Sequence, residues 1–210
     1  EWALRAYFGN DRNRNGILDL GEDIFGTWKN QRYILPTPPK DPKVKVVIES
    51  NKATLYWDRR SESSVDPILG VKDFEGYRIY RTNAGFDLTE TQNLEAALFE
   101  MAEFDSSGNT AGLNTGFNNI RLAQPVKFDG DTTNYWYKFE VNNLLNGWQY
   151  VFSVTAFDKG DETYGLESLE SGKLFNQAKI FAGVTATSDE NVEVGVYPNP
   201  YYEIGRASCR

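Results

Sequence analysis

The sequence has no histidine, one cysteine and one methionine, and its Lys and Arg are outnumbered by Asp and Glu, 22 to 30. Each shortage removes a class of chemistry. Without histidine the commonest general base at neutral pH is missing, and so is the commonest ligand of transition metals. A single cysteine closes no intrachain disulfide and builds no thiolate zinc cage. A formal charge of −8 leaves no concentrated basic face to neutralise phosphates, so nucleic acid is excluded as a partner. No apolar run reaches the roughly eighteen residues that suggest a membrane helix, so no membrane span is expected. Glycine-rich phosphate loops and the G-x-S-x-G turn are missing too, and no histidine is present to activate Ser or Thr, so the chain is read as no enzyme.

What is present suits a folded domain. The chain has 210 residues, 40% of them apolar and 14% aromatic, enough to fill one sizeable core with smaller attachments. It starts at Glu1 without a methionine and reads as part of a longer product. Residues 1–34 form a short polar and aromatic segment. "LPTPPKDP", residues 35–42, holds four of the eight prolines, whose fixed φ and missing N–H predict a stiff, extended linker.

From Lys43 the pattern becomes short period-two runs separated by turn residues, the mark of an all-β sandwich or barrel. "VKVVIES" and "KATLYWD" are expected strands, the second with Ala53, Leu55 and Trp57 on one face. "EGYRIYRT" is expected to set Tyr77, Ile79 and Arg81 on one side. "NLEAALFEMAEFD" reads as a strand with a helical start, and "SSGNTAGLNTGFNN" as a loop. "YWYKFEV" and "WQYVFSVTAFD" are the clearest strands, and "LESLESGKLF" is expected to supply the last edge. Trp57, Tyr77, Ile79, Tyr137, Phe139, Tyr150, Phe152 and Val154 are the expected core, since burying each large apolar side chain contributes roughly 1.5–3 kcal/mol.

"KATLYWD", "FEGYRIYRT" and "LLNGWQYVFSVTAFD" resemble strands B, C and F of a fibronectin type III domain. The resemblance spans residues 43–173 and implies an immunoglobulin-like β-sandwich with Trp57 in its core. It also implies a tyrosine corner made by Leu144 or Leu145 with Tyr150. The departure from that family is an insertion between strands C and E.

Residues 174–202 are expected to begin a further domain. Within them "VEVGVYPNPY" resembles the opening of C-terminal sorting domains of type IX secretion, carried by secreted proteins of Bacteroidetes-like bacteria. "EIGRASCR", residues 203–210, resembles the translation of a sequencing adapter, which implies that Cys209 is not native.

The most specific signal is "DRNRNGILDLGE", residues 11–22. Asp11, Asn13 and Asn15 alternate, Gly16 follows, Ile17 offers its carbonyl, Asp19 takes the ninth place and Glu22 the twelfth. Ca²⁺ takes roughly six to eight oxygens, and alternate residues of a tightly wound loop turn inward to supply them while a closing glutamate gives two at once. The run fills every specified position of D-x-[DN]-x-[DN]-G-x5-E and resembles an EF-hand calcium loop. Leu18 is expected to anchor it on apolar neighbours. Arg12 and Arg14 lie between the acids, so the expected affinity is modest, suited to extracellular calcium at roughly 10⁻⁴ to 10⁻³ M.

"EWALRAYF" predicts two helical turns before the loop, whereas "DIFGTWKNQRYILP" does not sustain a helix after it. The run is therefore closer to isolated dockerin-like or thrombospondin-like loops than to a paired sensor, and its expected role is stiffening. The competing reading is a polar turn, favoured because Asn-Gly tolerates positive φ.

Acidic residues recur in "FDKGDETYG" and "KFDGDTT", both read as turn acids, with Asp158 and Asp161 as a weaker second cation site. The expectation is a non-catalytic, calcium-stiffened structural, spacer or adhesion module of a secreted or cell-surface protein. Its partners would be calcium, neighbouring domains of the same polypeptide, and a surface protein or polysaccharide. The alternative is a carbohydrate- or ligand-binding accessory domain of a secreted hydrolase, for which Trp136 and Trp148 would form a platform.

Overall fold

The computed structural model describes residues 2–23, 26–68, 70–85, 93–163 and 165–183. The sorting-type stretch "VEVGVYPNPY" and the adapter-like ending lie outside them. Among the described residues no helix is long and apolar enough to cross a membrane.

Among the described residues eight strands form two four-stranded antiparallel sheets. The first contains β1 (Val44–Glu49), β2 (Lys52–Trp57), β5 (Arg121–Val126) and β6 (Tyr135–Asn142), in the order β1-β2-β6-β5. The second contains β3 (Phe74–Arg81), β4 (Phe99–Asp105), β7 (Gln149–Asp158) and β8 (Ala178–Phe181), in the order β4-β3-β7-β8. Set beside the A-B-E-D and C-F-G sheets of immunoglobulin-like domains, this is the same arrangement with β4 added at the edge of the second sheet. The chain is an all-β, immunoglobulin-like sandwich. The insertion noted in the sequence supplies the short helix Leu94–Ala97, then β4 and β5, one edge strand for each sheet.

The period-two pattern explains the core. Ala53, Leu55 and Trp57 of β2, Tyr77 and Ile79 of β3, Tyr137 and Val141 of β6, and Tyr150, Phe152, Val154 and Ala156 of β7 are buried in one cluster, with Phe139 packed partly buried against it. Trp57 lies at its centre, stacked on Tyr137 at 5.6 Å and edge-on to Tyr77 at 5.7 Å. Arg81 keeps the expected face, pairing with Phe152 of β7 as Ile79 pairs with Val154. The β3–β4 register shifts between Ile79 and Tyr80, and the Arg81 guanidinium lies half-buried over Phe99 and Tyr150, at 5.3 and 5.7 Å from the ring centres.

Every residue of β7 after Gln149 is buried, because "VFSVTAF" is covered on both faces, as in a central strand of a layered fold. Its outward-facing Thr155 hydroxyl donates to Glu170 at 2.6 Å and Ser153 donates to the Lys173 carbonyl at 2.6 Å.

These contacts correct the assignment of the last edge. "LESLESGKLF" meets β7 through a single bridge, Phe157 to Glu170, and crosses the outer face of the sheet. The edge strand is β8, "AKIF", paired with β7 from Gln149↔Phe181 to Phe152↔Ala178. The sandwich thus extends past Lys173, where the sequence reading placed its boundary. At the turn before β7, Leu144 is buried and Leu145 exposed, and the Leu145 N–H donates to the Tyr150 hydroxyl at 3.0 Å. This is the expected tyrosine corner, with Leu144 as its core residue.

The proline-rich linker differs from expectation in a second way. It is extended, but it lies on the sandwich. Pro39 and Pro42 are buried, the Lys40 N–H donates to Ser64 at 2.8 Å, and Ser61 donates back to the Lys40 carbonyl at 2.6 Å. Arg60 pairs with Asp41 at 3.0 Å and the Asn176 amide donates to the Pro42 carbonyl at 2.9 Å. Residues 35–42 are therefore a clamped strap along the β2–β3 end of the domain.

Candidate metal centre

The loop is held by structure on both sides. Helix α1 (Trp2–Phe8) precedes it and stops at Gly9, whose N–H donates to the Arg5 carbonyl at 2.7 Å with φ at +66°. A Cβ on Gly9 would lie 1.7 Å from the Gln31 carbonyl oxygen, so only glycine allows the returning chain to pass this close. The fully buried Asn10 then staples the segment: its oxygen accepts from the Gln31 N–H at 2.7 Å and its amide donates to the Lys29 carbonyl at 3.0 Å. The Ile34 N–H completes the return by donating to the Ala6 carbonyl at 3.0 Å. No helix forms across residues 26–34.

Within the loop, Asp11 is buried and accepts from the Asn15 N–H at 3.1 Å and the Gly16 N–H at 2.8 Å. Gly16 has φ at +82° and Arg14 at +63°, so the backbone reverses at the sixth position, where a calcium loop of this kind turns. Asn13 and Asn15 both place their amides on one oxygen of Asp19, at 2.6 and 2.7 Å. Glu22 is buried and folds back across the loop, accepting from the N–H groups of Arg12 (2.9 Å), Asn13 (3.2 Å) and Asp19 (3.0 Å). Ile17 is exposed, its N–H donating to Asn15 at 2.7 Å, and Leu18 is half-buried.

The structure thus brings Asn13, Asn15 and Asp19 to one point and turns Asp11 and Glu22 inward onto backbone N–H groups. Among the described residues no three Asp, Glu, His or Cys side chains gather round a common centre. The donor set still fits a hard cation. It offers carboxylate and amide oxygens only, and a half-turn of each Asn amide replaces nitrogen by oxygen beside Asp19. Ligation by Glu22 requires it to release the three N–H groups it now accepts from.

The remaining acids have other work. Asp158 accepts from Gly160 and Leu169 N–H groups, each at 2.9 Å, while Asp161 accepts from the Thr163 N–H at 2.8 Å. Each thus serves its own turn. Asp158 is moreover buried, as are Asp66 and Asp73, which corrects its reading as a solvated turn acid. Burial, followed by the charges of Asp158 and Asp66, pushes the Asp73 carboxyl up to about 6. Asp131 does the opposite. Bonds from Thr133, Tyr135 and Lys43 hold it well below the usual carboxylate range.

The two tryptophans offered as a platform do not share a surface. Trp136 opens β6 beneath the Arg59 guanidinium at 4.2 Å, and Trp148 follows the far corner, lying against Gly85. About 20 Å of strand separates the two positions.

No protein-family model and no curated protein sequence matches the chain. Among solved structures it is similar to the solution structure of the third fibronectin III domain of human KIAA0343 protein, with 14% identity, 78% of this chain and 96% of that chain covered, and a TM-score of 0.32. That superposition is too loose to argue from, so the fold assignment rests on the strand order and on the Tyr150 corner.

Sequence reasoning found the ligand candidates by their spacing but missed Asn10 and Gly9, which hold the loop in place. The signal for Asn10 was its direct attachment to Asp11 after a glycine. Nothing local revealed its partners at positions 29 and 31.

Proposed function

We propose that this chain is a non-catalytic structural module of an exported bacterial surface protein, in which Ca²⁺ stiffens the N-terminal segment against a fibronectin-like sandwich. The observation that carries the reading is the loop geometry: a twelve-residue run with the calcium pattern, turned at Gly16, with Asn13, Asn15 and Asp19 side chains meeting at one point. Asp11, Asn13, Asn15, Asp19, Glu22 and the Ile17 carbonyl would hold the ion, which supplies a fixed charge that draws their oxygens together. Residues 11–22 are rich in polar N–H to side-chain bonds and poor in apolar cover, so a bound ion adds what packing does not.

The clamped strap explains how such stiffening serves a spacer or adhesion role, because a segment tied to Ser61, Ser64 and Arg60 passes its orientation to the sandwich. Neighbouring domains of the same polypeptide are the partners this reading implies. The separated Trp136 and Trp148 give no support to an aromatic sugar platform at those positions.

Isothermal calorimetry on the whole chain with CaCl₂ tests the proposal. A saturable heat is expected, and it should vanish in Glu22→Gln. Equal heats from the two proteins, or none from either, end the calcium reading.

A further inference from the structure

Beside the loop lies a cavity of about 300 Å³ lined by Arg5, Phe8, Asp11, Arg12, Arg14 and Ile68. In a chain of charge −8, three guanidinium groups around one cavity are an unusual concentration. Asn13 and Asn15 turn toward Asp19, whereas Arg12 and Arg14, which alternate with them, line the cavity.

The arginines are also seated. Arg12 lies over Gly70 of the β2–β3 connection, where a Cβ would meet its guanidinium nitrogen at 1.8 Å. Gly70 leaves the space that the side chain fills. Among the described residues no carboxylate pairs with the Arg12 side chain. Arg14 sits 5.5 Å above the Phe8 ring, and Arg5 and Arg14 are further held by interactions of their own. The one carboxylate in the lining, Asp11, has both oxygens taken by the Asn15 and Gly16 N–H groups.

We infer that this cavity is a binding site for a compact oxyanion, the sulfate or carboxylate group of a small molecule or of a single terminal sugar. Guanidinium forks match the paired oxygens of such groups and bind them more tightly than a spherical halide. A volume near 300 Å³ is at the small end of ligand pockets, which suits one ring or a free ion and excludes a long strand of peptide. Phe8 and Ile68 supply an apolar wall against which the carbon skeleton of a sugar rests. The arginines that would hold the anion ligate no metal, and Asp11 is the one lining residue shared with the calcium reading.

The test is a two-dimensional NMR titration of the whole chain in metal-free buffer with sodium sulfate and, separately, sodium glucuronate, at ionic strength fixed with chloride. Saturable shifts at residues 5–14 and 68–70 are expected, with Arg12→Gln and Arg14→Gln each weakening binding about ten-fold. Tighter binding of glucuronate than of sulfate assigns a sugar acid, and the reverse order assigns a free or esterified sulfate. Glu22→Gln should lose the calcium heat yet keep the anion affinity, which separates the two proposals. Shifts that chloride reproduces, shifts that never saturate, or affinities unchanged in both arginine variants overturn the site, as does saturable binding of an acidic peptide alone.

Discussion

The sandwich and the segment ahead of it are stabilised by opposite means. In the sandwich, rings and branched side chains interlock around Trp57, and its centre is almost wholly apolar. In residues 9–34 the work is done by side chains bonded to backbone: Asn10 to Lys29 and Gln31, Asp11 to Asn15 and Gly16, Glu22 to three N–H groups, Asp23 to Thr27 and Trp28. The first kind of stability depends on shape, the second on charge and on what is dissolved around it. The two regions should therefore respond to different perturbations, which is the basis for separating them experimentally.

The largest effect is expected from Trp57→Ala. Emptying the centre of the aromatic cluster should cost about 3–5 kcal/mol in urea unfolding. A loss below about 1 kcal/mol would break the contrast, because it would mean the core does not rely on packing.

Asp73→Asn comes next and acts at the pole where the strap is clamped. In the fold its carboxyl titrates at about 6, against an ordinary value of 3.8, because of burial and then of Asp158 and Asp66. A raised carboxyl pKa means the folded state holds the proton more tightly. Its contribution is complete below about pH 4 and is lost as pH rises through 6. The neutral asparagine should thus be more stable than the parent by about 1–2 kcal/mol at pH 7 and indistinguishable from it near pH 3.5. Thermal melts across that range read the difference, and a gap of equal size at both ends would refute the assignment.

Calcium at ten times its Kd should stabilise the chain by about 1.4 kcal/mol. A rise in Tm relative to chelator should therefore be seen in the parent and be absent in Glu22→Gln. The smallest effect is expected from Tyr150→Phe, which leaves the Leu145 N–H without its acceptor and should cost about 1 kcal/mol whether or not calcium is present. Dependence of that loss on calcium would show that the two regions are not independent.

The same division explains what could be read from the sequence. β2, β3, β6 and β7 announce themselves through alternating large side chains, and the buried Ala53, Leu55 and Trp57 are the ones the pattern indicated. β8 was missed because four residues, "AKIF", carry too little periodicity to stand out. "LESLESGKLF" alternates more clearly, yet its Glu170 is drawn onto the outer face by Arg78 at 2.7 Å, Tyr80 at 2.8 Å and Thr155 at 2.6 Å. β5 tolerates Pro125 because it is an edge strand with no further ladder to serve.

For the candidate site, ligand spacing is local and was legible. The supports were not: Asn10 acts on residues about twenty positions away, and the strap is fixed by serines and an arginine of similar separation. Composition indicated an extended path for residues 35–42, but it held no information on the surface against which they lie.

The clamped strap has a mechanical consequence. Tension applied through the N-terminal segment meets the bonds at Ser61, Ser64, Arg60 and Asn176 before it reaches the first hydrogen bonds of β1. Three of those bonds share the turn of residues 60–64 and the fourth comes from the segment before β8, so the hairpin of β1 and β2 is not the first element to take the load.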